Sequence, residues 1–200
     1  MHWLLTALIL ALQAQTPLPP AYPRPGTINL IDNDRVLVWD ISWLKQTYPL
    51  HRHLYDLVGV YYTDGDRVIV NLEGNRRPVS TKAWETAFQR GGVTHIEEGA
   101  SDAPLKAVFV EIKADGPRPD SASAAAAPVA PSKATQRFDN ERATVRELLA
   151  PIDGTSHTHR DDAVVVSFKA GKASAEYVPR GRTHSDGDRQ AERVYVFELK

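Results

Sequence analysis

The 200-residue sequence contains no cysteine. That excludes disulfides, zinc–thiolate sites and thiol nucleophiles. It has no block of one charge either: 24 Lys and Arg stand against 25 Asp and Glu, for a net charge of −1. The balance argues against nucleic acid as a partner and against a membrane attachment held by charge. The apolar run Trp3–Leu12 is too short to span a bilayer, which takes about 20 residues. Helical periodicity is weak throughout, so an all-helical fold is not expected.

The same run reads as the apolar core of a signal peptide over residues 1–14, with cleavage after Ala14. The residues before it carry no Lys or Arg, and Leu12 occupies the −3 position. The expectation is export as an unfolded chain to the periplasm or the medium, with no stable membrane anchor after cleavage. Residues 15–26 follow as an extended arm, with five prolines between Thr16 and Pro25.

Histidine is what the sequence does have. Six of its seven histidines form one pattern that occurs twice: His51, His53 and His95, then His157, His159 and His184. Two histidines separated by one residue on a strand point to the same side. A third, from a distant strand, can complete a set of three neutral ligands. The pattern belongs to a longer duplication. Asp32-Asn33-Asp34-Arg35 matches Asp139-Asn140-Glu141-Arg142, and Asp56 matches Asp162. Gly92-Val93-Thr94-His95 matches Gly181-Arg182-Thr183-His184, and Val108–Lys113 matches Tyr195–Lys200. Gly65 and Gly92 correspond to Gly171 and Gly181, so the second copy is 17 residues shorter between them. A duplication in fixed order predicts two units of one fold.

Strands are expected at Arg35–Ile41, Leu57–Tyr62, Arg67–Leu72, Trp84–Phe88 and Leu105–Ile112. Asp64-Gly65-Asp66 and Glu73-Gly74-Asn75 read as hairpin turns. Asn140–Leu149 has a trace of helical pattern but aligns with a strand of the first copy, so a strand is expected there. The units are placed at 27–114 and 137–200. Between them, 115–136 is an Ala/Pro/Ser-rich linker, open to proteolysis from Asp115 to Lys133. Many short strands in regular succession predict barrels or sandwiches.

These repeats resemble the cupin superfamily, and the whole looks like a small exported bicupin. Cupins carry two motifs: Gly, five residues, His-x-His, three or four residues, Glu, six residues, Gly; and Gly, five residues, Pro-x-Gly, two residues, His. His51, His53, Gly65, Gly92 and His95 sit at motif positions in the first copy. His157, His159, Gly171, Pro179, Gly181 and His184 do so in the second. The glutamate position is Val58 in one copy and Val164 in the other, and Arg90 replaces the motif proline of the first. The resemblance implies an all-β fold of two cupin-like barrels, packed face to face. It implies a divalent transition metal (Zn, Cu, Ni, Fe or Mn) at one or both histidine triads, and a small-molecule ligand or substrate.

Other residues have two readings each. Asp56 and Asp162 are fourth or outer ligands, or rim residues in solvent. Arg52, Tyr55, Trp84 and Arg90 line a pocket in the first unit, and Arg180 and Arg182 in the second, or all lie on the surface. Trp39 and Trp43 pack in the core and at the rim. Glu97 or Glu98 acts as a general base, or both sit in a solvated turn. Two functions stay open: a metal-dependent dioxygenase, decarboxylase or isomerase, and a non-catalytic binding module, in either case a monomer or homodimer. With imidazole donors only, the affinity order makes Zn, Cu or Ni at least as common as Fe. Binding should weaken as pH falls through the imidazole range.

Overall fold

The computed structural model describes residues 17–113, 134–152, 154–185 and 189–200. The expected signal peptide and the 115–133 part of the expected linker lie outside the described residues. The first unit holds β1 (Thr27–Asp32), β2 (Val36–Trp43), β3 (His51–Arg52), β4 (Asp56–Tyr61), β5 (Gly65–Val70), β6 (Arg76–Thr81), β7 (Thr86–Gln89), β8 (Thr94–Gly99) and β9 (Leu105–Ile112). The second holds β10 (Thr135–Asp139), β11 (Ala143–Leu149), β12 (Ser156–Thr158), β13 (Asp162–Lys169), β14 (Lys172–Val178), β15 (Thr183–Ser185) and β16 (Arg193–Leu199). The second unit therefore begins at Thr135, two residues before the expected boundary. Asn140–Leu149 contributes a strand, as its alignment required, and no helix occurs among the described residues.

Both units have the same antiparallel plan. A five-stranded sheet runs β1-β2-β9-β4-β7 in the first and β10-β11-β16-β13-β14 in the second. In the first unit a second sheet, β3-β8-β5-β6, faces it and closes the barrel. In the second unit only the two-stranded β12-β15 faces it. The 17 missing residues are the equivalent of the β5–β6 hairpin. Asp64-Gly65 is not a hairpin turn: β4 pairs with β7 and β9, whereas β5 pairs with β6 and β8. The chain changes sheets there. Gly65 sits so close to Leu105 that a Cβ would lie 2.7 Å from the Leu105 side chain. The second expected turn is real, with Gly74 at φ +81°.

Alternation along β2 sorts its residues onto two buried faces. Leu37, Trp39, Ile41 and Trp43 fill the barrel interior with Leu57, Tyr61 and Phe109. Phe109 meets Trp39 edge-on at 5.1 Å and Trp43 at 5.6 Å. Val36 and Val38 face the other way, into a second core shared by the two units. That core joins Val58, Val60, Val108 and Val110 of the first to Val145, Val164, Val166, Phe168, Tyr195 and Phe197 of the second. The five-stranded sheets therefore pack face to face within the chain. Each such side chain contributes about 1.5–3 kcal/mol when fully buried.

The shared core explains several residues that had two readings. Val58 and Val164 point into it, away from both barrel interiors. Their neighbours Leu57 and Ala163 face inward, so neither register offers a carboxylate. Asp56 and Asp162 are neither ligands nor solvated rim groups. They form reciprocal ion pairs across the units, Arg35 to Asp162 at 3.0 Å and Arg142 to Asp56 at 2.8 Å. These are repeat equivalents, so the contact has an approximate two-fold. Arg90 joins it by pairing with Asp56 and Glu141. Trp84 lines no pocket: its ring lies against Phe168, Tyr195 and Arg193 of the second unit.

Candidate metal centres

His51 lies on β3 and pairs across the ladder with His95 of β8. His53 follows, its amide donating to the Val93 carbonyl at 2.9 Å. All three imidazoles are buried. They converge so that one ring nitrogen of each lies within 4.8 Å of the others. His53 Nε2 and His95 Nε2 are 3.4 Å apart. Two ligands about 2.1 Å from one tetrahedral ion stand about 3.4 Å apart, so the spacing fits. His51 Nδ1 lies 2.9 Å from the Pro49 carbonyl. That bond fixes the tautomer with the proton on Nδ1. It leaves Nε2 buried without a partner, as a metal ligand requires.

The second triad repeats the device. His157 pairs with His184 across β12 and β15, and His157 Nδ1 lies 3.0 Å from the Thr155 carbonyl. His159 Nδ1 lies 3.1 Å from Glu198 Oε1, and Glu198 is paired with Arg146. A carboxylate behind an imidazole orients it and raises its basicity as a ligand. The three ring nitrogens again lie within 4.8 Å of one another. His184 is only half-buried, on the side the absent hairpin would cover. Arg180 and Arg182 do not build a pocket here. The Arg180 amide donates to Asp162, and Arg182 is exposed, 4.0 Å from Glu176.

Glu97 is the main correction to the sequence reading. It is not in a solvated turn but on β8, two residues from His95, and it is buried. Its carboxylate lies 3.8 Å from His95 Nε2 and 4.0 Å from His51 Nε2. Trp43 Nε1 donates to it at 3.2 Å, which places Trp43 at the site and not at the rim. Arg67 approaches from β5 to 3.8 Å. Arg24, from the proline-rich arm, makes a 2.6 Å contact. The arm docks beside β3, with the Ala21 amide donating to the Arg52 carbonyl and the Arg52 amide to the Pro19 carbonyl. Arg52 itself faces solvent, as does Glu98, which pairs with Arg76.

No protein-family model and no curated protein sequence matches this chain. Among solved structures, a cupin domain from Bordetella pertussis is 32% identical, over 46% of this chain and 98% of its own length, with a TM-score of 0.41. Two others follow the chain through both units. A cupin 2 conserved barrel domain protein from Leptotrichia buccalis is 11% identical, covering 87% of this chain and 88% of its own, with a TM-score of 0.51. AerE from Microcystis aeruginosa is 10% identical, covering 92% and 98%, with a TM-score of 0.53.

This chain belongs to the cupin superfamily.

The first cupin barrel has an interior charge distribution of its own. Burial pushes the Glu97 carboxyl up, but Arg24 and Arg67 outweigh it and hold it at about 2. Glu97 is therefore a fixed negative charge and a poor general base. Burial, with His95 beside it, lowers His53 to about 3, and burial lowers His95 to about 4. His51 is lowered by burial as well. Neutral imidazoles are thus ready for a cation well below the usual range. The other interior carboxyl, Glu111 on β9, is raised to about 7 by burial, which outweighs its hydrogen bond from Trp39 and the charge of Lys113. It is the repeat equivalent of Glu198. Where the second cupin unit has Arg146, two ladder positions along from the partner of Glu198, the first has Trp39. Trp39 brings no charge to Glu111, on which Lys113 acts instead.

Acid should destabilise the metal-free protein early. The folded imidazoles have lowered pKa values, so the unfolded chain takes up protons first as pH falls below about 6.5. Their contribution is complete above that pH and is lost progressively toward about 4 and then 3. We expect the melting temperature of the metal-free chain to fall from pH 6.5 to 4.5, read by scanning calorimetry, the three imidazoles outweighing Glu111, whose raised carboxyl favours the folded chain over the same range. A flat profile over that range would contradict the burial of neutral imidazoles.

Proposed function

We propose that this chain is an exported bicupin whose first barrel is a metal-dependent small-molecule site. The observation that carries the reading is the set of three buried imidazoles, with their nitrogens converged and the His51 tautomer fixed outward from the backbone. Glu97 supports it as a fourth donor or as a counter-charge. His51, His53 and His95 would hold a divalent first-row ion, which when bound supplies a Lewis acid and exchangeable ligand positions. Adding an oxygen donor to three nitrogens widens the choice of ion to Fe and Mn beside Zn, Cu and Ni. The residues of the barrel do the rest. Trp43, Tyr48 and Tyr61 wall the interior and exclude water, and the arginines hold Glu97 ionised. A dioxygenase, decarboxylase or isomerase acting on a small molecule uses such a site. The export assignment rests on the sequence features of residues 1–14.

For the second unit, the observation that favours a non-catalytic role is the missing hairpin. His157 and His159 keep their oriented tautomers and His184 completes the triad, but only two strands face the large sheet. We propose a metal-binding site without an enclosed substrate pocket.

The test is metal analysis of the purified chain after reconstitution, with His51→Ala and His157→Ala variants. The expected result is tight binding of about one equivalent lost with His51→Ala. A weaker equivalent should be lost with His157→Ala. Less than about 0.1 equivalent of any transition metal in the parent protein would sink the reading.

A further inference from the structure

Arg24 and Arg67 have more donors than Glu97 can use. Arg24 touches Glu97 through one Nη2 contact at 2.6 Å. Arg67 Nε is 3.8 Å away, beyond hydrogen-bond distance. The Nε and Nη1 atoms of both guanidiniums are buried with no acceptor. Their side chains are only 6% and 11% exposed. Four orphaned donors in one barrel interior are far outside the usual accounting, in which buried polar atoms are nearly always paired.

The aromatic walls set the direction from which a partner comes. The Arg24 guanidinium lies 4.5 Å from the centre of the Tyr48 ring, and the Arg67 guanidinium 4.9 Å from Tyr61 and 5.1 Å from Trp43. Rings occupy their faces and Arg67 also bonds the Tyr61 hydroxyl, so the rest of their N–H edges is what remains. Nε and Nη1 lie on different edges of a guanidinium, each sharing its edge with Nη2. One Nη2 hydrogen of Arg24 goes to Glu97, so its other edge still offers two parallel donors. These match a carboxylate, which accepts two such bonds side by side. Charge points the same way. Two guanidiniums against Glu97 leave one positive charge among neutral imidazoles, which the interior Glu111 offsets only when it is ionised, and a bound divalent ion adds two more. Water can accept hydrogen bonds here but cannot neutralise that charge.

We propose that Arg24 and Arg67 form a carboxylate-binding subsite beside the first triad, so that the ligand of this barrel is a small carboxylic acid. The proposal rests on the metal reading for its location but not for its arginines. One of the two clamps is carried by the N-terminal arm. The arm is therefore part of the site: docked on β3, with Tyr22 against Trp39, it also brings a specificity-determining residue into the barrel.

The experiment is calorimetric titration of the metal-reconstituted full chain with acetate, oxalate and inorganic phosphate, with metal content measured on the same samples. The expected result is saturable binding of a carboxylate probe, with phosphate weaker because its second charge costs more to desolvate in a buried interior. Arg24→Gln and Arg67→Gln should each weaken the carboxylate roughly tenfold or more, beyond what any change in the metal content measured on the same samples accounts for. Arg24→Lys retains the charge but not the fork, and should fall between the parent and Arg24→Gln. Circular dichroism identifies a misfolded variant, for which the phosphate-to-acetate ratio of the parent chain remains decisive. Full metal with no carboxylate binding would overturn the proposal, as would binding indifferent to both arginines or stronger for phosphate. If the parent chain takes up no metal yet binds a carboxylate through Arg24 and Arg67, the subsite stands and the metal reading falls.

Discussion

A Val58→Glu substitution is expected to destabilise the protein by about 4 kcal/mol and to add nothing to metal affinity. Counting along the histidine motif puts a metal-ligating glutamate at this position. The fold puts it in the core between the two units, fully buried among Val36, Val60, Val110 and Val164. A carboxylate there is desolvated without a cation or donor, and the cost of an unpaired buried charge is several kcal/mol. Urea unfolding, with metal content assayed in parallel, reads both effects. A variant as stable as the parent and tighter in metal would mean that β4 is one residue out of register.

Removing Glu97 should have an effect of similar size for the opposite reason. Glu97→Leu leaves Arg24 and Arg67 buried with no counter-charge, and breaking a buried pair from one side costs about 3–5 kcal/mol. Glu97→Gln keeps the shape and one acceptor for Arg24, so it should be milder by about 1–2 kcal/mol. Both variants should weaken metal binding at the first triad and leave the second unchanged. Thermal melting combined with site-resolved metal counts, using His157→Ala as the background, checks this. A Glu97→Leu protein that melts with the parent would show that the arginine contacts contribute no stability.

How far the sequence could be read depended on whether the relevant geometry was local. The histidine pairs were legible because one residue between them fixes a shared face on any strand. The duplication was legible because Asp32–Arg35 and Asp139–Arg142 bracket the same elements. The face-to-face packing had a sign as well: Val36–Trp39 and Leu57–Tyr62 are unbroken apolar runs, and a strand with one wet face alternates. Glu97 was misplaced although its signal was present. His95-x-Glu97 has the same spacing as His51-x-His53, so a strand through His95 turns both inward. Val58 was misassigned because Leu54 and Tyr55 lie outside any strand, and counting across an irregular segment loses parity. Arg24 had no local signal. Its role depends on the arm reaching Arg52, a contact no periodicity encodes. The ion-pair role of Asp56 and Asp162 was equally hidden, because their partners come from the opposite unit.

The reciprocal pairing of the two sheets has a consequence for how the halves tolerate change. Had this interface joined separate molecules, dilution would pull it apart, and each copy would have to keep both its sticky face and its cavity. Here a single polypeptide carries both faces, so a face that lets go finds its mate again at a local concentration that dilution does not alter. The second half can therefore lose an entire hairpin and still serve as the first half's backing. It keeps the five strands that grip and has shed those that enclose.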